Sequence, residues 1–199
     1  MTEFLSGDYW QERYESGETG WDMGEVSPPL KAYFDQLTNK SLRILIPGCG
    51  NSYEAEYLVQ NGFTDVTVID IAPGPVERLK TVLREHHNEQ IKVILGDFFD
   101  HTGTYDLIVE QTFFCALDPA LRKKYVEKMH ALLAPGGCIA GVMFGVIFDK
   151  PGPPFGGTPE EYRALFSPVF EILTLDLCYN SHPKRMGNEV FVRYLKLAN

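Results

Sequence analysis

From residue 42 onward, short apolar runs alternate with longer segments in which apolar positions recur at helical spacing. Such runs are typical of buried strands, and the amphipathic segments between them are typical of helices that connect parallel strands. The alternation predicts a mostly parallel sheet with helices on its faces, which is an α/β fold. Seven strands are expected, at residues 42–46, 66–70, 91–95, 105–110, 138–144, 170–177 and 189–197, the last two as an antiparallel hairpin.

The helix that follows the first strand is expected to open at Asn51 or Ser52, because Asn51 and Glu54 approximate a capping box. A later helix is expected to stop at Ala134-Pro135-Gly136-Gly137, a run that terminates helices. The helix that stops there covers residues 119–133. The other predicted helices cover residues 75–87 and 159–166, and two short ones at 4–14 and 28–37 flank a glycine-rich loop.

Composition indicates one acidic domain. The chain has 199 residues, of which 44% are apolar, enough for one substantial core. We expect a single domain over residues 1–199, with a lid segment at 1–40 and a core at 41–199. The formal net charge is −9 and the lysines and arginines are not collected into a run. Because binding to a phosphate backbone needs a basic face, nucleic acid is not an expected partner.

Cysteine usage indicates a reducing compartment, because the four cysteines form no CxxC pair and no zinc-ligand spacing. The adjacent His86 and His87 point in different directions on a helix and are expected on a solvated face, so no metal site is predicted. Apolar stretches such as 138–148 fall short of the roughly 20 residues that span a bilayer, and the N-terminus does not resemble a signal peptide. We expect a cytoplasmic protein that acts as a monomer, without a membrane partner.

Candidate chemistry lies after the predicted strands, where open α/β sheets bind their ligands. Gly48 and Gly50 follow the first strand and permit a tight turn close to a ligand. A dinucleotide fingerprint would place a third glycine at position 53, where this chain has Tyr53. This difference argues against NAD and FAD.

Two acidic residues complete a predicted adenosine pocket. Asp70 ends the second strand roughly 20 residues after the glycines, where a carboxylate accepts hydrogen bonds from ribose hydroxyls. Asp97 follows the third strand and can accept from an exocyclic amine, while Phe98 and Phe99 beside it offer an apolar surface to a purine. The alternative for each carboxylate is that it caps the next helix.

Five segments resemble the thiopurine S-methyltransferase superfamily of class I S-adenosylmethionine-dependent methyltransferases, and within it the thiol and halide methyltransferases. They are Tyr9-Trp10-Gln11-Glu12-Arg13-Tyr14, Gly20-Trp21-Asp22-Met23-Gly24, Ile46-Pro47-Gly48-Cys49-Gly50, Glu110-Gln111-Thr112-Phe113-Phe114-Cys115-Ala116 and Pro151-Gly152-Pro153-Pro154-Phe155. The resemblance implies a Rossmann-like fold, S-adenosylmethionine as cofactor and a small-molecule methyl acceptor.

The resemblance also implies where the cofactor binds. The N-terminal segment would fold over it with Trp10 and Trp21, whose aromatic faces attract the cationic sulfonium. Alternatively, Trp10 anchors a helix in the core. The implied cofactor residues are Trp10, Trp21, Gly24, Gly48, Cys49, Gly50, Asp70, Ile71, Asp97, Phe98 and Glu110.

Glu110 is expected to hold the cofactor's amino group or to complement its sulfonium, or else to pair with a nearby arginine. Phe113, Phe114, Phe155 and Arg185 are the implied acceptor-binding residues, although phenylalanines after a strand also serve as core.

Asp22 and Tyr14 are the candidates for orienting or deprotonating a thiol. Cys115 is interpreted as a packing residue, because methyl transfer needs no covalent intermediate. The predicted reaction is an in-line transfer to a small nucleophile, with a non-catalytic cofactor-binding domain and an NAD-type oxidoreductase as alternatives.

Overall fold

A computed structural model describes residues 5–84 and 90–197 of the chain. Its centre is a seven-stranded sheet with the order β3-β2-β1-β4-β5-β7-β6. The strands are β1 (Ile44–Pro47), β2 (Val66–Asp70), β3 (Ile91–Leu95), β4 (Tyr105–Gln111), β5 (Leu133–Phe144), β6 (Phe170–Leu177) and β7 (Glu189–Lys196). The pairs among β1 to β5 are parallel, whereas β7 runs antiparallel to both β5 and β6. The predicted α/β fold and its antiparallel final hairpin are confirmed.

Six α-helices accompany the sheet in the described part of the chain: α1 (Gly7–Ser16), α2 (Pro28–Phe34), α3 (Tyr53–Gln60), α4 (Pro73–Val82), α5 (Arg122–Leu132) and α6 (Pro159–Phe166). Apolar side chains of α2, α3 and α4 pack with one face of the sheet. Side chains of α5 and α6 pack with the other face, around Tyr125, Phe166 and Tyr194. The two cores leave the carboxyl ends of the parallel strands at one edge, where α1 lies.

The turn into α3 differs from its prediction. Asn51 donates to the Asp22 carboxylate instead of capping the helix, and Glu54 accepts a hydrogen bond from the Ser27 amide at 2.9 Å. The predicted capping box of Asn51 and Glu54 is therefore wrong. Ser52 precedes the helix with φ of +46°, a left-handed conformation that the glycine turn before it imposes.

Two further boundaries, the start of β5 and the end of α4, differ from their predicted positions. The strand predicted from Cys138 begins already at Leu133, because the Ala134-Pro135-Gly136-Gly137 run ends α5 yet continues directly as extended chain beside β4. Helix α4 ends at Val82, and residues 83 and 84 form a turn where the helix was predicted to continue; its predicted residues 85–87, which include His86 and His87, lie outside the described residues.

Gly141 tests the packing at the centre of the sheet. A Cβ there would lie 2.2 Å from the Glu110 carbonyl oxygen on the neighbouring strand. We expect Gly141→Ala to lower the free energy of unfolding by about 1–3 kcal/mol, because the Glu110 backbone carbonyl cannot move away from the added methyl group as a flexible side chain could. Gly20→Ala is the control, since nothing lies within 4 Å of a Cβ at that position. Urea denaturation measures both, and equal stabilities would contradict the packing described.

Candidate functional site

The turn after β1 forms the floor of the candidate site. Gly48 and Gly50 adopt φ of +56° and +51°, a left-handed conformation in which glycine carries no Cβ penalty. The amide of Gly50 donates to Asp70 Oδ2 at 2.8 Å, which joins the ends of β1 and β2. The two elements predicted to form an adenosine pocket are thus in direct contact.

Asp70 is 8% exposed, and its Oδ1 accepts the Ala72 amide at 2.8 Å. Burial raises the pKa of this carboxyl, and the backbone amides of Ala72, Gly50 and Ile71 oppose that rise. A carboxylate has about four acceptor positions, so three amides leave capacity for a ribose hydroxyl. The arrangement fits an adenosine ligand.

The next strand end supplies apolar surface. Asp97 is half-buried and accepts the Phe99 amide at 2.7 Å. Phe98 is only 4% exposed and packs against Phe113 with ring centroids 5.1 Å apart, so it supports the site from within the core. The open apolar faces belong to Ile71, which is 38% exposed, and Leu95, which is 51% exposed.

Leu95 is a candidate that sequence reasoning missed. It lies opposite Asp70 in the pairing of β2 with β3. Its position at the carboxyl end of a predicted strand, directly before Gly96-Asp97, was the available sequence signal.

Residues 6–27 of the predicted lid segment lie over this floor, and from here on we call these residues the lid. Trp10 and Trp21 contact edge to face with centroids 5.5 Å apart, and Tyr14 contacts Trp21 in the same way at 5.5 Å. The Gly74 amide at the start of α4 donates to Gln11 Oε1 at 2.7 Å. None of the ten residues of α1, all of which the structure describes, is buried, so Trp10 does not anchor its helix in a core.

The lid places Tyr14 directly above the glycine turn. A Cβ at Gly50 would lie 2.8 Å from the Tyr14 hydroxyl. Burial, with a further contribution from Asp70, raises the pKa of Tyr14 well above its usual range. The phenol keeps its proton at neutral pH, so Tyr14 is a hydrogen-bond donor here and is not set up to deprotonate a thiol.

Asp22 ties the lid to the core. Its Oδ1 accepts the amide of Gly24 at 2.7 Å, and its Oδ2 accepts from Asn51 and from the Tyr53 hydroxyl, the latter at 3.3 Å. All three donors belong to the lid or to the turn into α3, so the described contacts of Asp22 are structural. Gly24 itself is exposed with φ of +78°, and it forms the turn that Asp22 closes.

A shallow recess lies between β4, β5 and the start of β7; its empty space of about 230 Å³ includes open solvent, and its enclosed part has room for about one water molecule. It is lined by Glu110, Thr112, Phe114, Cys115, Val142, Met143, Phe144, Arg185 and Glu189. The Arg185 guanidinium is buried there, 3.3 Å from Glu189 Oε1, and donates to the Trp21 carbonyl at 2.6 Å. The lid therefore borders the cavity through Arg185.

Consecutive aromatic residues face the glycine turn and the cavity, Phe113 the turn and Phe114 the cavity. The Phe113 ring covers Gly48 so closely that a Cβ there would lie 2.1 Å from it. The Phe155 amide donates to the Cys115 carbonyl at 2.7 Å, which brings the 151–155 segment to the same wall. Burial raises the pKa of the Cys115 thiol to about 12, in keeping with a packing residue.

Glu110 has surroundings other than those predicted. Its Oε1 accepts the amides of Phe113 and Phe114, each at 2.9 Å, and its Oε2 accepts the Tyr125 hydroxyl. Glu110 is 1% exposed, which leaves a cofactor amino group no open approach, and the nearby Arg185 pairs with Glu189 instead. The geometry disfavours both predicted roles, because the carboxylate faces the turn and α5 instead.

Two observations concern other ligands. In residues 5–84 and 90–197, no group of three or more histidine, cysteine or acidic side chains lies close enough to hold a metal ion. Within the same ranges, no helix has the length and apolar character needed to cross a membrane. The predicted solvated face of His86 and His87 lies outside the described residues.

Comparisons with known proteins give consistent matches. The profile of the family described as thiopurine S-methyltransferase (TPMT) matches residues 5–195. "Probable thiol methyltransferase 2" of Arabidopsis thaliana is 31% identical, over 88% of this chain and 78% of that protein. "Thiocyanate methyltransferase 1" of Brassica oleracea is 26% identical, over 94% of this chain and 84% of that protein.

The fold is shared with a solved 1,6-didemethyltoxoflavin-N1-methyltransferase of Burkholderia thailandensis. The TM-score is 0.78 at 18% identity, and the match covers 96% of this chain and 87% of that one.

The lid can be tested separately from the core. We expect Trp10→Ala to weaken binding of S-adenosylhomocysteine while the melting temperature stays close to that of the wild type, because α1 contributes no buried side chain. Phe34→Ala, which truncates a side chain that is 1% exposed, should by contrast cost about 3–5 kcal/mol of stability. Thermal denaturation with and without the ligand measures both, and unfolding of the Trp10 variant would restore the core-anchor interpretation.

Proposed function

Because the chain belongs to the thiopurine S-methyltransferase family, we propose that this S-adenosylmethionine-dependent methyltransferase acts on a small, soft nucleophile: a thiol, a halide or thiocyanate. The observation that carries this proposal is the cavity beside the glycine turn. Apolar side chains, among them Phe114, Phe144, Val142 and Met143, line it together with Glu110 and Glu189, and its guanidinium, Arg185, is 7% exposed. A weakly hydrated anion suits such a cavity, because it loses little solvation on entering and meets a positive charge inside.

The cofactor is proposed to bind along the strand ends. Gly48 and Gly50 would give its methionine portion a close approach to backbone, with Cys49 between them. Asp70 would accept from the ribose hydroxyls. Asp97 would accept from the adenine amine, and Ile71 and Leu95 would cover the purine. Trp10, Trp21 and Gly24 belong to the lid that would close over it.

The chain's own contribution to the reaction is placement and exclusion of water. When bound, S-adenosylmethionine supplies a methyl group on a positively charged sulfur, which is an activated leaving group. Alignment of the nucleophile therefore counts for more than proton transfer. Phe113, Phe114 and Phe155 would wall the acceptor side, and the lid would keep the site dry, which favours a reaction that consumes opposite charges.

Arg185 and Tyr14 are proposed to orient the acceptor. Arg185 presents a cation that is paired with Glu189, so an anion entering the cavity would compete with Glu189 for the guanidinium. Tyr14 keeps its proton and can donate a hydrogen bond beside Gly50. Asp22 would act through the lid, which it holds closed. Action in the cytoplasm and as a monomer stay predictions from the sequence.

Asp70 is the sharpest test of the cofactor site. Asp70→Ala should weaken binding of S-adenosylhomocysteine by about 1–3 kcal/mol, because it removes a charged acceptor and frees the Gly50 amide. Asp65→Ala, at the amino end of the same strand, is the matched control and should bind as the wild type does. Isothermal titration calorimetry measures both, and equal affinities would show that the ribose lies elsewhere.

An acceptor panel tests the reaction itself. With iodide, thiocyanate, sulfide and an aromatic thiol as substrates, we expect S-adenosylhomocysteine to form with the small anions, and Arg185→Met to slow that formation by about tenfold through loss of the buried cation. Chromatographic detection of the product measures the rates. Cofactor binding without turnover of any acceptor would identify a binding domain instead of an enzyme.

A further inference from the structure

The carboxylate of Glu110 holds the turn that follows β4. Glu110 is 1% exposed. Its Oε1 accepts two consecutive amides, those of Phe113 and Phe114, at 2.9 Å each, while Oε2 accepts the Tyr125 hydroxyl from α5. One buried side chain thus joins the strand end, the turn and a helix on the face of the sheet.

This turn needs such a support. Thr112 adopts φ of +58°, a left-handed conformation that costs a β-branched residue energy. The surrounding contacts must therefore supply what the local backbone does not. Bonds to a charged acceptor are about twice as strong as those to a neutral one, so the ionised carboxylate is the form that holds the turn best.

The same turn sets two walls of the site. The Phe113 ring lies against Gly48 in the glycine turn. Thr112 and Phe114 line the cavity proposed for the acceptor. A displacement of the turn would change the cofactor side and the acceptor side together.

We propose that Glu110 is a positioning residue for methyl transfer, whose ionised carboxylate holds the 112–114 turn in the productive arrangement and whose protonation releases it. This inference rests on the proposed function. It assigns to Glu110 no contact with either substrate.

The groups that face Glu110 are neutral or paired, so burial is the main influence on its pKa. Tyr125 on α5, Tyr162 on α6, Tyr194 on β7 and Cys115 in the turn are neutral at physiological pH, because burial raises the pKa of each. The Arg185 cation in the shared cavity is paired with Glu189. Burial raises the pKa of Glu110 to about 7, while the hydrogen bonds from Tyr125, Phe114 and Phe113 oppose that rise.

The sign of the pH dependence follows from this value. Above about pH 7 the carboxylate is ionised and accepts all three donors. Below it, a proton on Oε2 displaces the Tyr125 donor from that oxygen, and the neutral Oε1 holds the Phe113 and Phe114 amides more weakly. The raised pKa also means that the folded chain binds this proton more readily than the unfolded chain. The contribution of Glu110 to stability therefore falls as pH rises from 4.5 to about 7, so the active form is the less stable one.

The experiment uses iodide as acceptor, because iodide stays an anion throughout the assay range whereas sulfide titrates. The wild-type kcat/KM should fall below about pH 7, on the acidic side of the Glu110 pKa. Glu110→Gln should lose this dependence and be about tenfold slower at pH 8, because its neutral amide holds the turn more weakly. Its melting temperature at pH 8 should equal or exceed that of the wild type, since no charge is buried.

Tyr125→Phe separates positioning from a general structural role. Loss of the hydroxyl removes a donor that lowers the Glu110 pKa, so the fall in kcat/KM should move to higher pH. Tyr162→Phe is the matched control. It removes a buried hydroxyl that donates to the Phe144 carbonyl instead of Glu110, and should leave the profile in place.

A wild-type profile that is flat with iodide, or a fall that Glu110→Gln retains, overturns the proposal. Hydrogen exchange of the peptide spanning 110–117 gives a readout that needs no acceptor, because the Phe113 and Phe114 amides should lose protection below about pH 7 in the wild type alone. If no acceptor is methylated, the proposed function fails and the catalytic role of Glu110 fails with it. If methylation proceeds but exchange shows no such change, only the inference about Glu110 fails.

Discussion

The Gly50 amide and the buried Asp70 carboxylate share a hydrogen bond of 2.8 Å, and this contact ties the ends of two neighbouring strands together. It holds the left-handed glycine turn against the carboxyl edge of the sheet. The remaining parts of the site are built upon that turn. Tyr14 of the lid lies over Gly50, and Phe113 from the end of β4 lies over Gly48. Neither approach is possible at a residue with a Cβ.

Polar side chains in this protein mostly hold backbone in place. Asp22 closes the Gly24 turn, Glu54 holds the Ser27 amide and Arg185 holds the Trp21 carbonyl. A reaction whose leaving group is already activated needs placement more than proton transfer. A site rich in structural carboxylates and poor in free bases suits that requirement.

Burial of the Arg185 and Glu189 pair costs desolvation energy, and the pair contacts the lid. Removing both charges from water is unfavourable unless they are paired and hydrogen-bonded. Here the guanidinium reaches Glu189 and also the carbonyl of a lid residue 164 positions away in sequence. The same group can therefore connect closure of the lid with the charge offered to an acceptor.

The sequence by itself determined the order and type of the elements, because burial and backbone hydrogen bonding leave a periodic trace in each segment. Strands 66–70 and 91–95 and the helix at 159–166 were predicted to the residue. It also determined that Gly48, Gly50, Asp70 and Asp97 lie at one edge, since parallel strands end together. Motif resemblance supplied the cofactor, the family and the identity of the lid.

Only the tertiary structure decided where the side chains at that edge point. A capping box at Asn51 and Glu54 was locally reasonable, but the lid offered both residues other partners. Glu110 was placed correctly at the end of β4, yet its direction depends on Tyr125, which lies on a helix later in the chain. Leu95 was missed for the same reason, and of the residues predicted to bind the acceptor, Phe114 and Arg185 line the cavity. Such contacts join segments far apart in sequence, and local periodicity carries no record of them.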